Sequence, residues 1–381
     1  MPSTYVKSWV EIHKGAVANN AAAFRVRNGE ARLCAVVKAD AYGHGIEMIV
    51  PTLVQEGIDL FGVDHVSEAL RVRALAPEAT IIIFGVTFPE ELADAVGEGI
   101  TITVYDDAQV RAVAEVARKL KWLARVNIKV ETGLHRQGAD SRMLNAIVGE
   151  LRRLAGIVVV QGVSTHFAAS EANAGKERTL QQDAVFCDAI NWLREQGIVP
   201  EIQHASCSAS AIMYPDLVHN AYRPGIGLYG LWSSADVKRF ASYLTPRFEL
   251  QPVLAWRARL ASVKDISPGD GVGYGPAFVA NRPMRIAVVP VGYYDGYHRA
   301  YAAGGSVLVK GIRCPVIGTI CMDMFMIDVS NVPNAKAGDV ATLIGRDGML
   351  TVTADEIADR AGTIHYEVVT SIREHLPRLS V

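Results

Sequence analysis

Leu33-Cys-Ala-Val-Val-Lys38 is an apolar run that ends in a lysine, and the glycine-punctuated segment Ala39-Asp-Ala-Tyr-Gly-His-Gly45 follows it. The run predicts a buried strand, and an ammonium group at the end of such a strand is costly to desolvate. We therefore expect the amine of Lys38 to act as a nucleophile or base toward a carbonyl compound, with a solvent-facing lysine as the alternative. Tyr42 adds a hydroxyl beside glycines that allow close backbone approach, which suits an oxyanion or a phosphate group.

Seven further apolar runs follow, and helix-length amphipathic segments such as 106–120 and 180–195 separate them. This alternation is typical of parallel strands joined by crossover helices. Eight such strands are the number that a closed (β/α)8 TIM-type barrel needs, so we predict an α/β fold of this class. The predicted strands are residues 33–37, 60–63, 80–86, 102–105, 126–130, 158–163, 202–205 and 221–223.

Several ionisable residues lie at or just past the carboxyl ends of these runs. That end of a β/α barrel is where active sites are built, so the pattern predicts a single site there. The residues concerned are Lys38, Lys129, Arg136, His166, His204 and Arg223.

The pattern changes beyond residue 240, where helices become scarce and strand-like runs dominate. We predict strands at 253–263, 285–291, 306–310, 324–329 and 340–344, and a helix at 353–361 that Thr353 can cap. The sequence thus predicts a barrel domain over residues 1–245 and a mostly β C-terminal domain over 246–381, with the first residues able to pack on the β domain.

Composition excludes several classes of function. The 381 residues are half hydrophobic, and 38 Lys and Arg nearly balance 40 Asp and Glu, so nucleic acid and anionic membranes are poor partners. The five cysteines form no C-x-x-C pair, which argues against a disulfide framework and a zinc site and favours a reducing, cytoplasmic setting. We see no signal peptide and no apolar stretch of membrane-spanning length.

The segment around Lys38 resembles the cofactor-lysine segment of the alanine racemases, a family of pyridoxal 5'-phosphate enzymes. Further segments similar to that family recur in the family's order across almost the whole chain. They are Lys129-Val-Glu-Thr-Gly-Leu-His-Arg-Gln-Gly138, Ser164-Thr-His-Phe167, Arg223-Pro-Gly-Ile-Gly-Leu-Tyr-Gly230, Gly273-Tyr-Gly275, Gly292-Tyr-Tyr-Asp-Gly296, Cys321-Met-Asp323 and Tyr366-Glu367.

The resemblance implies that Lys38 holds the cofactor and is one of two catalytic bases, with Tyr274 as the other base. Deprotonating a tyrosine near neutral pH needs positive neighbours, and we expect His166 and Arg223 to supply them. The resemblance assigns the cofactor phosphate to Tyr42, Ser208, Gly225, Ile226 and Tyr366, and it counts His166 and Arg223 among the cofactor-binding residues.

Arg223 is the most diagnostic of these residues. A guanidinium is practically always protonated, so facing the pyridine nitrogen it would donate a hydrogen bond and leave that nitrogen unprotonated. The ring is then a weaker electron sink, which favours reprotonation at the α carbon over transamination. A structural ion pair with a carboxylate is the alternative for this arginine.

The family also implies a head-to-tail homodimer in which each site uses both subunits. Tyr274, Tyr293, Met322 and Asp323 would then come from the partner, the last three near the substrate carboxylate and the entrance. Arg136 would bind the cofactor's phenolic oxygen or the substrate carboxylate. Lys129 is a position that family members often carry as a carbamate, an anion able to hold this arginine.

Some residues depart from the family pattern: Glu131, His135, Gln137 and Cys207 replace the usual aspartate, glycine, leucine and asparagine. His135 is the most consequential, since a side chain beside Arg136 can adjust substrate preference. The sequence therefore predicts interconversion of L-alanine and D-alanine for peptidoglycan synthesis, with no metal. The alternatives are a racemase of broader specificity, an amino-acid decarboxylase of the same architecture and a non-catalytic pyridoxal phosphate carrier.

Overall fold

The computed structural model describes residues 6–275 and 277–381. Its chain divides into two compact units, one formed by residues 15–41 and 49–252, the other by the described residues up to Lys14 together with 42–48 and 253–381.

The first unit contains a closed barrel of eight parallel strands among the described residues, in the order of the chain. The last strand pairs with the first through Arg32–Ala221 and Leu33–Tyr222, which closes the barrel. The predicted fold class is confirmed, because all eight predicted runs coincide with barrel strands within a few residues. These strands are β2 (Arg32–Val36), β3 (Leu60–Val63), β4 (Thr80–Ile83), β5 (Thr101–Val104), β6 (Ala124–Lys129), β7 (Val158–Ser164), β8 (Ile202–Cys207) and β9 (Ala221–Arg223); β1 (Ser8–Ile12) precedes them in the other unit.

Helices connect these strands. The two helices predicted from amphipathic patterns are α6, which Asp106 caps by accepting from Gln109 N at 2.7 Å, and α8. The helices up to the barrel's end are α1 (Lys14–Asn28), α2 (Lys38–Tyr42), α3 (Ile46–Gln55), α4 (Val66–Leu75), α5 (Leu92–Gly97), α6 (Asp107–Leu120), α7 (Ser141–Arg153), α8 (Lys176–Glu195), α9 (Ser208–Met213) and α10 (Ala235–Ala241).

Much of the barrel core is apolar because each strand is covered on both faces, although Thr103, Asn127 and His204 are buried there as well. One buried cluster joins Cys34, Leu60, Ile82, Ile202 and Ala221, which come from five different strands. Such a filled interior leaves the strand ends and their loops as the place for a binding site.

The second unit is mostly β, as predicted. Its main sheet has ten strands in the described residues, in the order β11-β14-β17-β16-β15-β18-β10-β1-β20 with β19 on β18. The run 253–263, predicted as one strand, forms two, and β16 was not predicted. The strands are β10 (Leu254–Arg259), β11 (Ser262–Ile266), β12 (Gly271–Val272), β13 (Phe278–Val279), β14 (Met284–Val289), β15 (Ser306–Val309), β16 (Ile312–Ile317), β17 (Phe325–Asp328), β18 (Val340–Asp347), β19 (Leu350–Val352) and β20 (Arg378–Ser380).

Two α-helices complete the described part of this unit, α11 (Ala354–Ala361) and α12 (His365–Thr370). Thr353 caps α11 as predicted, since its Oγ1 accepts from Glu356 N at 3.0 Å. The carboxylate of Glu356 pairs with Arg313. Across the described ranges, the helices are all too short or too polar to cross a lipid bilayer.

Candidate active site

The carboxyl end of the barrel gathers the predicted basic residues. Lys38 lies two residues past β2, Lys129 is the last residue of β6, and His166 follows β7 by two residues. Arg223 ends β9. The sequence predicts His204 at a strand end, but β8 continues for three more residues, so this imidazole lies within the strand.

Lys38 has a carboxylate neighbour that the sequence analysis missed. Its side chain is 41% exposed, and Nζ lies 3.4 Å from Oδ1 of Asp64, in the loop after β3. Glu68 links the segment after Lys38 to the loop after β3, because its carboxylate accepts from Ala39 N at 2.6 Å and from Asp64 N at 2.9 Å. The expectation of a desolvated amine is thereby corrected: the amine is partly solvated and paired. The sequence held one indication that Asp64 belongs to the site, since Asp64 directly follows a barrel strand.

The backbone after Lys38 forms a left-handed turn. Residues 39–42 have φ between 51° and 53°, although none of them is glycine. Each L residue in this region costs roughly 1–2 kcal/mol, so the surrounding contacts must hold the turn. One such contact is the ion pair between Asp40 and Arg71, whose Oδ1 and Nη2 atoms lie 2.7 Å apart. The lysine is therefore presented by a strained segment rather than by a flexible loop.

Arg223 is buried and anchored by five acceptors. Nη1 donates to the carbonyl oxygen of His204 at 2.6 Å and to its Nδ1 at 2.8 Å. Nη2 donates to the carbonyls of Thr165 and Ala205 at 2.8 and 2.9 Å and to Nδ1 of His166 at 3.2 Å. No acceptor in the part of the chain that the structure describes contacts its Nε–H. Burial lowers the pKa of Arg223 to about 10, so it stays charged at neutral pH.

The two histidines beside Arg223 are uncharged. Since arginine can only donate, Nδ1 of His204 accepts, and its Nε2–H donates to Oδ1 of Asn127 at 3.0 Å. Burial, and then the charge of Arg223, hold the pKa values of His204 and His166 well below the usual range. This contradicts the expectation that His166 supplies positive charge to Tyr274, and the same expectation for Arg223 stays a prediction.

Lys129 and Arg136 lie within electrostatic range of each other. Burial first, then the charges of Arg223 and Arg136, hold the pKa of Lys129 well below its usual value, and Glu131 opposes this effect. Among the described residues, neither side chain has a hydrogen-bond partner. The surroundings of Lys129 therefore disfavour its ammonium form and favour an anion.

Glu131 organises the loop that carries Arg136. Its carboxylate accepts from the backbone N–H groups of Gly133, of Leu134 at 2.8 Å and of His135 at 3.0 Å. Burial opposes its ionisation, but these three donors outweigh burial and lower the pKa of Glu131. His135 has φ of 56°, a conformation that glycine adopts more easily, which explains why this substitution is unusual.

The loops after β8 and β9 converge on Ser208. Its Oγ accepts from the N–H groups of Gly225 at 2.9 Å and Gly227 at 3.2 Å. A Cβ at Gly227 would lie 2.6 Å from the ring of Phe24 and 3.3 Å from this hydroxyl, so only glycine allows the approach. Ile226, the residue between these amides, is buried. These loops are the ones from which barrels often bind phosphate.

The remaining predicted residues belong to the β unit. The rings of Tyr42 and Tyr366 lie with centroids 6.3 Å apart, and Tyr366 belongs to α12. Gly43 packs tightly there, since a Cβ would lie 2.1 Å from the carbonyl oxygen of Val369. The two tyrosine side chains are thus held as a pair.

Tyr274 lies on an exposed turn of the β unit. Its side chain is 78% exposed, and both neighbours, Gly273 and Gly275, have positive φ, at 78° and 65°. A Cβ at Gly273 would lie 3.5 Å from Thr319 N, so this turn packs against the segment that leads to residues 321–323.

Tyr293, Met322 and Asp323 lie on two paired loops of the same unit. Tyr293 N donates to the carbonyl of Cys321 at 3.1 Å, and Tyr294 N donates to that of Met322 at 3.0 Å. The side chain of Met322 is 53% exposed. These loops and the turn at Tyr274 therefore form one exposed surface that carries aromatic and apolar side chains.

Models of a known family match both parts of the chain. The description "Alanine racemase, N-terminal domain" matches residues 12–233, and "Alanine racemase, C-terminal domain" matches residues 253–380. An alanine racemase of Leptospira interrogans is 35% identical over 385 residues, covering 100% of this chain and 97% of the relative.

Two solved structures of racemases are similar to this chain. The alanine racemase of Bacillus anthracis with bound L-Ala-P has a TM-score of 0.92 at 30% identity, covering 100% of this chain and 96% of that one. The histidine racemase of Leuconostoc mesenteroides is also similar, with a TM-score of 0.86, 26% identity, and coverage of 100% and 99%.

Proposed function

Because the chain belongs to the alanine racemase family, we propose that it interconverts L-alanine and D-alanine with pyridoxal 5'-phosphate bound at the carboxyl end of its barrel. One observation carries this proposal. Arg223 is buried and charged, its terminal nitrogens are fully used, and its Nε–H remains for an acceptor. A ring nitrogen that must stay unprotonated is such an acceptor.

The residues of the barrel end fit this cofactor. Lys38 offers an amine for its aldehyde. The amides of Gly225 and Gly227, with Ser208, form a donor-rich loop for its phosphate. By likeness to the family, we also assign Ile226, Tyr42 and Tyr366 to the phosphate. When bound, pyridoxal phosphate acidifies the α C–H bond of an amino acid joined to it. His166 holds Arg223 in the orientation that the ring requires.

Arg223 favours racemisation over the alternatives. Its pKa, lowered by burial to about 10, still exceeds neutral pH, so it donates a hydrogen bond without transferring its proton. The α carbon then remains the preferred site of reprotonation. A decarboxylase of this architecture would require an acidic residue at the position of Arg223, so this alternative is not supported.

Inversion requires a proton acceptor on each face of the α carbon, and we assign these roles to Lys38 and Tyr274. The Asp64 carboxylate, 3.4 Å from Nζ, orients the lysine amine. Tyr274 projects from the exposed surface of the β unit, a position suited to completing the site of a second subunit. Arg223 is the positive group available to assist its deprotonation, since His166 is neutral.

The substrate carboxylate is assigned to Arg136, to the Met322 amide and to Tyr293, with Asp323 at the entrance. Lys129 can support this arrangement, because an amine whose ammonium form is disfavoured can add CO2, release one proton and become a carbamate anion. Such an anion would attract Arg136 where an ammonium would repel it.

We further propose a homodimer that acts in the cytoplasm and supplies D-alanine for peptidoglycan. All five cysteines are free thiols, which fits a reducing compartment. The exposed surface that carries Tyr274, Tyr293 and Met322 fits a partner subunit.

A racemase of broader specificity is the second candidate. His135 occupies a left-handed position beside Arg136, where it can alter the space for a substrate side chain. The likeness to a histidine racemase makes this alternative worth testing. Racemisation rates on alanine, serine and histidine, compared between the wild type and His135→Gly, would distinguish the two.

The decisive experiment incubates the cofactor-loaded protein with L-alanine in deuterated water. We would follow loss of the α-proton by NMR and the enantiomer ratio by chiral chromatography. Deuterium incorporation with equal amounts of both enantiomers at the end supports racemisation. Exchange without D-alanine would leave a single working base and contradict the role of Tyr274, and no exchange would contradict the proposed reaction.

A further inference from the structure

Three side chains with different ligand chemistry converge on the outside of the barrel, away from the proposed site. Asp183 and Cys187 lie one turn apart on the same face of α8, and His219 lies in the loop before β9. Nε2 of His219 lies 2.9 Å from Oδ1 of Asp183, and Sγ of Cys187 lies 3.8 Å from its Oδ2. One ligand atom from each residue lies within 4.8 Å of the other two.

We propose that Asp183, Cys187 and His219 form a binding site for a thiophilic divalent cation, with Zn2+ as the probe. A thiolate, an imidazole and a carboxylate are the three side-chain ligands that zinc uses in proteins, whereas Mg2+ and Ca2+ prefer oxygen ligands alone. Two anionic ligands and a neutral imidazole also balance the charge of a divalent ion.

The spacing of the ligands fits a tetrahedral ion. With bonds of about 2.0 to 2.3 Å, ligand atoms around zinc stand roughly 3.3 to 3.7 Å apart. The His219–Asp183 distance must open by about half an ångström, and the thiol must move slightly inward. The side chains of His219 and Asp183 are 14% and 15% exposed, which leaves access for a water as the fourth ligand.

The histidine is held before any ion arrives. Its ring packs edge-on against Phe186, with centroids 5.0 Å apart, and its backbone has φ of 60°. An ordinary ion pair would account for the contact between His219 and Asp183, but it would not explain why the thiol of Cys187 lies close to the same carboxylate.

Binding releases one proton, because Cys187 must give up its thiol proton to form the metal–sulfur bond.

The ion would join α8 to the loop that begins β9, and so to the strand that ends in Arg223. Its role is structural: it stabilises the fold without touching substrate or cofactor. The site is independent of the proposed reaction.

The test is a zinc titration of the chelator-treated, cofactor-loaded protein against a chromogenic competing chelator. We expect one equivalent of zinc per chain, and a loss of affinity of at least tenfold in Cys187→Ala and in His219→Asn, where asparagine tolerates the left-handed backbone. Glu195→Gln, which changes an exposed acidic residue at the end of the same helix, is the matched control and should bind as the wild type does.

Zinc should also raise the melting temperature of the wild type and of the control but not that of the two ligand variants. Lys38→Ala, which lacks the proposed racemisation, should bind zinc normally, so the two proposals fail separately. Absence of a tight equivalent in the wild type, or equal binding in Cys187→Ala and Glu195→Gln, would overturn the site.

Discussion

Acidification should destabilise this protein through the two neutral histidines that anchor Arg223. The perturbation is a decrease from pH 7 to pH 5, applied to the wild type and to His204→Gln. Glutamine offers an acceptor for Arg223 and a donor for Asn127, as the neutral imidazole does, but it does not titrate. The comparison therefore isolates the protonation of one buried side chain.

The sign follows from the position of the pKa. In the unfolded chain a histidine takes up its proton near pH 6.5, whereas His204 and His166 resist it in the folded chain because of burial and Arg223. The unfolded state then binds more protons, so stability is lost as the pH falls below 6.5. A histidine that stays neutral at pH 5 contributes a loss of about 1.9 kcal/mol between pH 7 and pH 5, and the pair about twice that.

The assay is urea unfolding at pH 7, 6 and 5, followed by far-UV circular dichroism. We expect the free energy of unfolding of His204→Gln to decrease by about 2 kcal/mol less than that of the wild type over this range. His13→Gln removes an exposed histidine and is the matched control, for which we expect the pH dependence of the wild type. Identical pH dependence in His204→Gln and the wild type would refute the assignment of a neutral, buried His204.

Three further predictions concern the proposed bases and the strained loop. Lys38→Ala should abolish covalent cofactor attachment, seen as loss of the bound cofactor's absorption, and lower racemisation at least about 1,000-fold; retention of activity would contradict its role. Tyr274→Phe should keep the cofactor and still exchange the α-proton of one enantiomer in deuterated water, but the rate of inversion should fall by a factor of about 100 to 10,000. The control Tyr294→Phe should invert alanine at the wild-type rate, and an unchanged rate in Tyr274→Phe would exclude the two-base assignment. His135→Gly should raise the free energy of unfolding by about 0.5–1 kcal/mol because φ is 56° there, while the control His298→Gly, with φ of −64°, should lower it. A loss of stability in His135→Gly would show that the His135 side chain makes contacts that outweigh the backbone strain.

Much of the barrel could be predicted because its signals are local. The eight apolar runs have the length of buried parallel strands, and the segment 106–120 carries the amphipathic pattern of the outer helix α6. The β unit was harder to predict. β16 carries a proline and partly exposed residues, so its composition resembles a loop, and only pairing with β15 and β17 makes it a strand.

The candidate site was predictable in its parts but not in its interactions. Lys38 was found because it ends an apolar run of the sequence, and Arg223 because it ends a barrel strand. Asp64 was missed although it also follows a strand, since its sequence gives no sign that the Lys38 amine lies 3.4 Å away. His166 was assigned the wrong charge because its protonation depends on burial and on Arg223.

The sequence by itself determined the order of strands and helices, the family and the residue types available at the barrel end, because strand length, helix period and motifs are properties of neighbouring residues. Only the tertiary structure decided the left-handed turn after Lys38, the five acceptors around Arg223 and the convergence of Asp183 with His219. Hydrogen-bond direction, burial and protonation depend on atoms far apart in the chain, and they are defined only once folding has brought those atoms together.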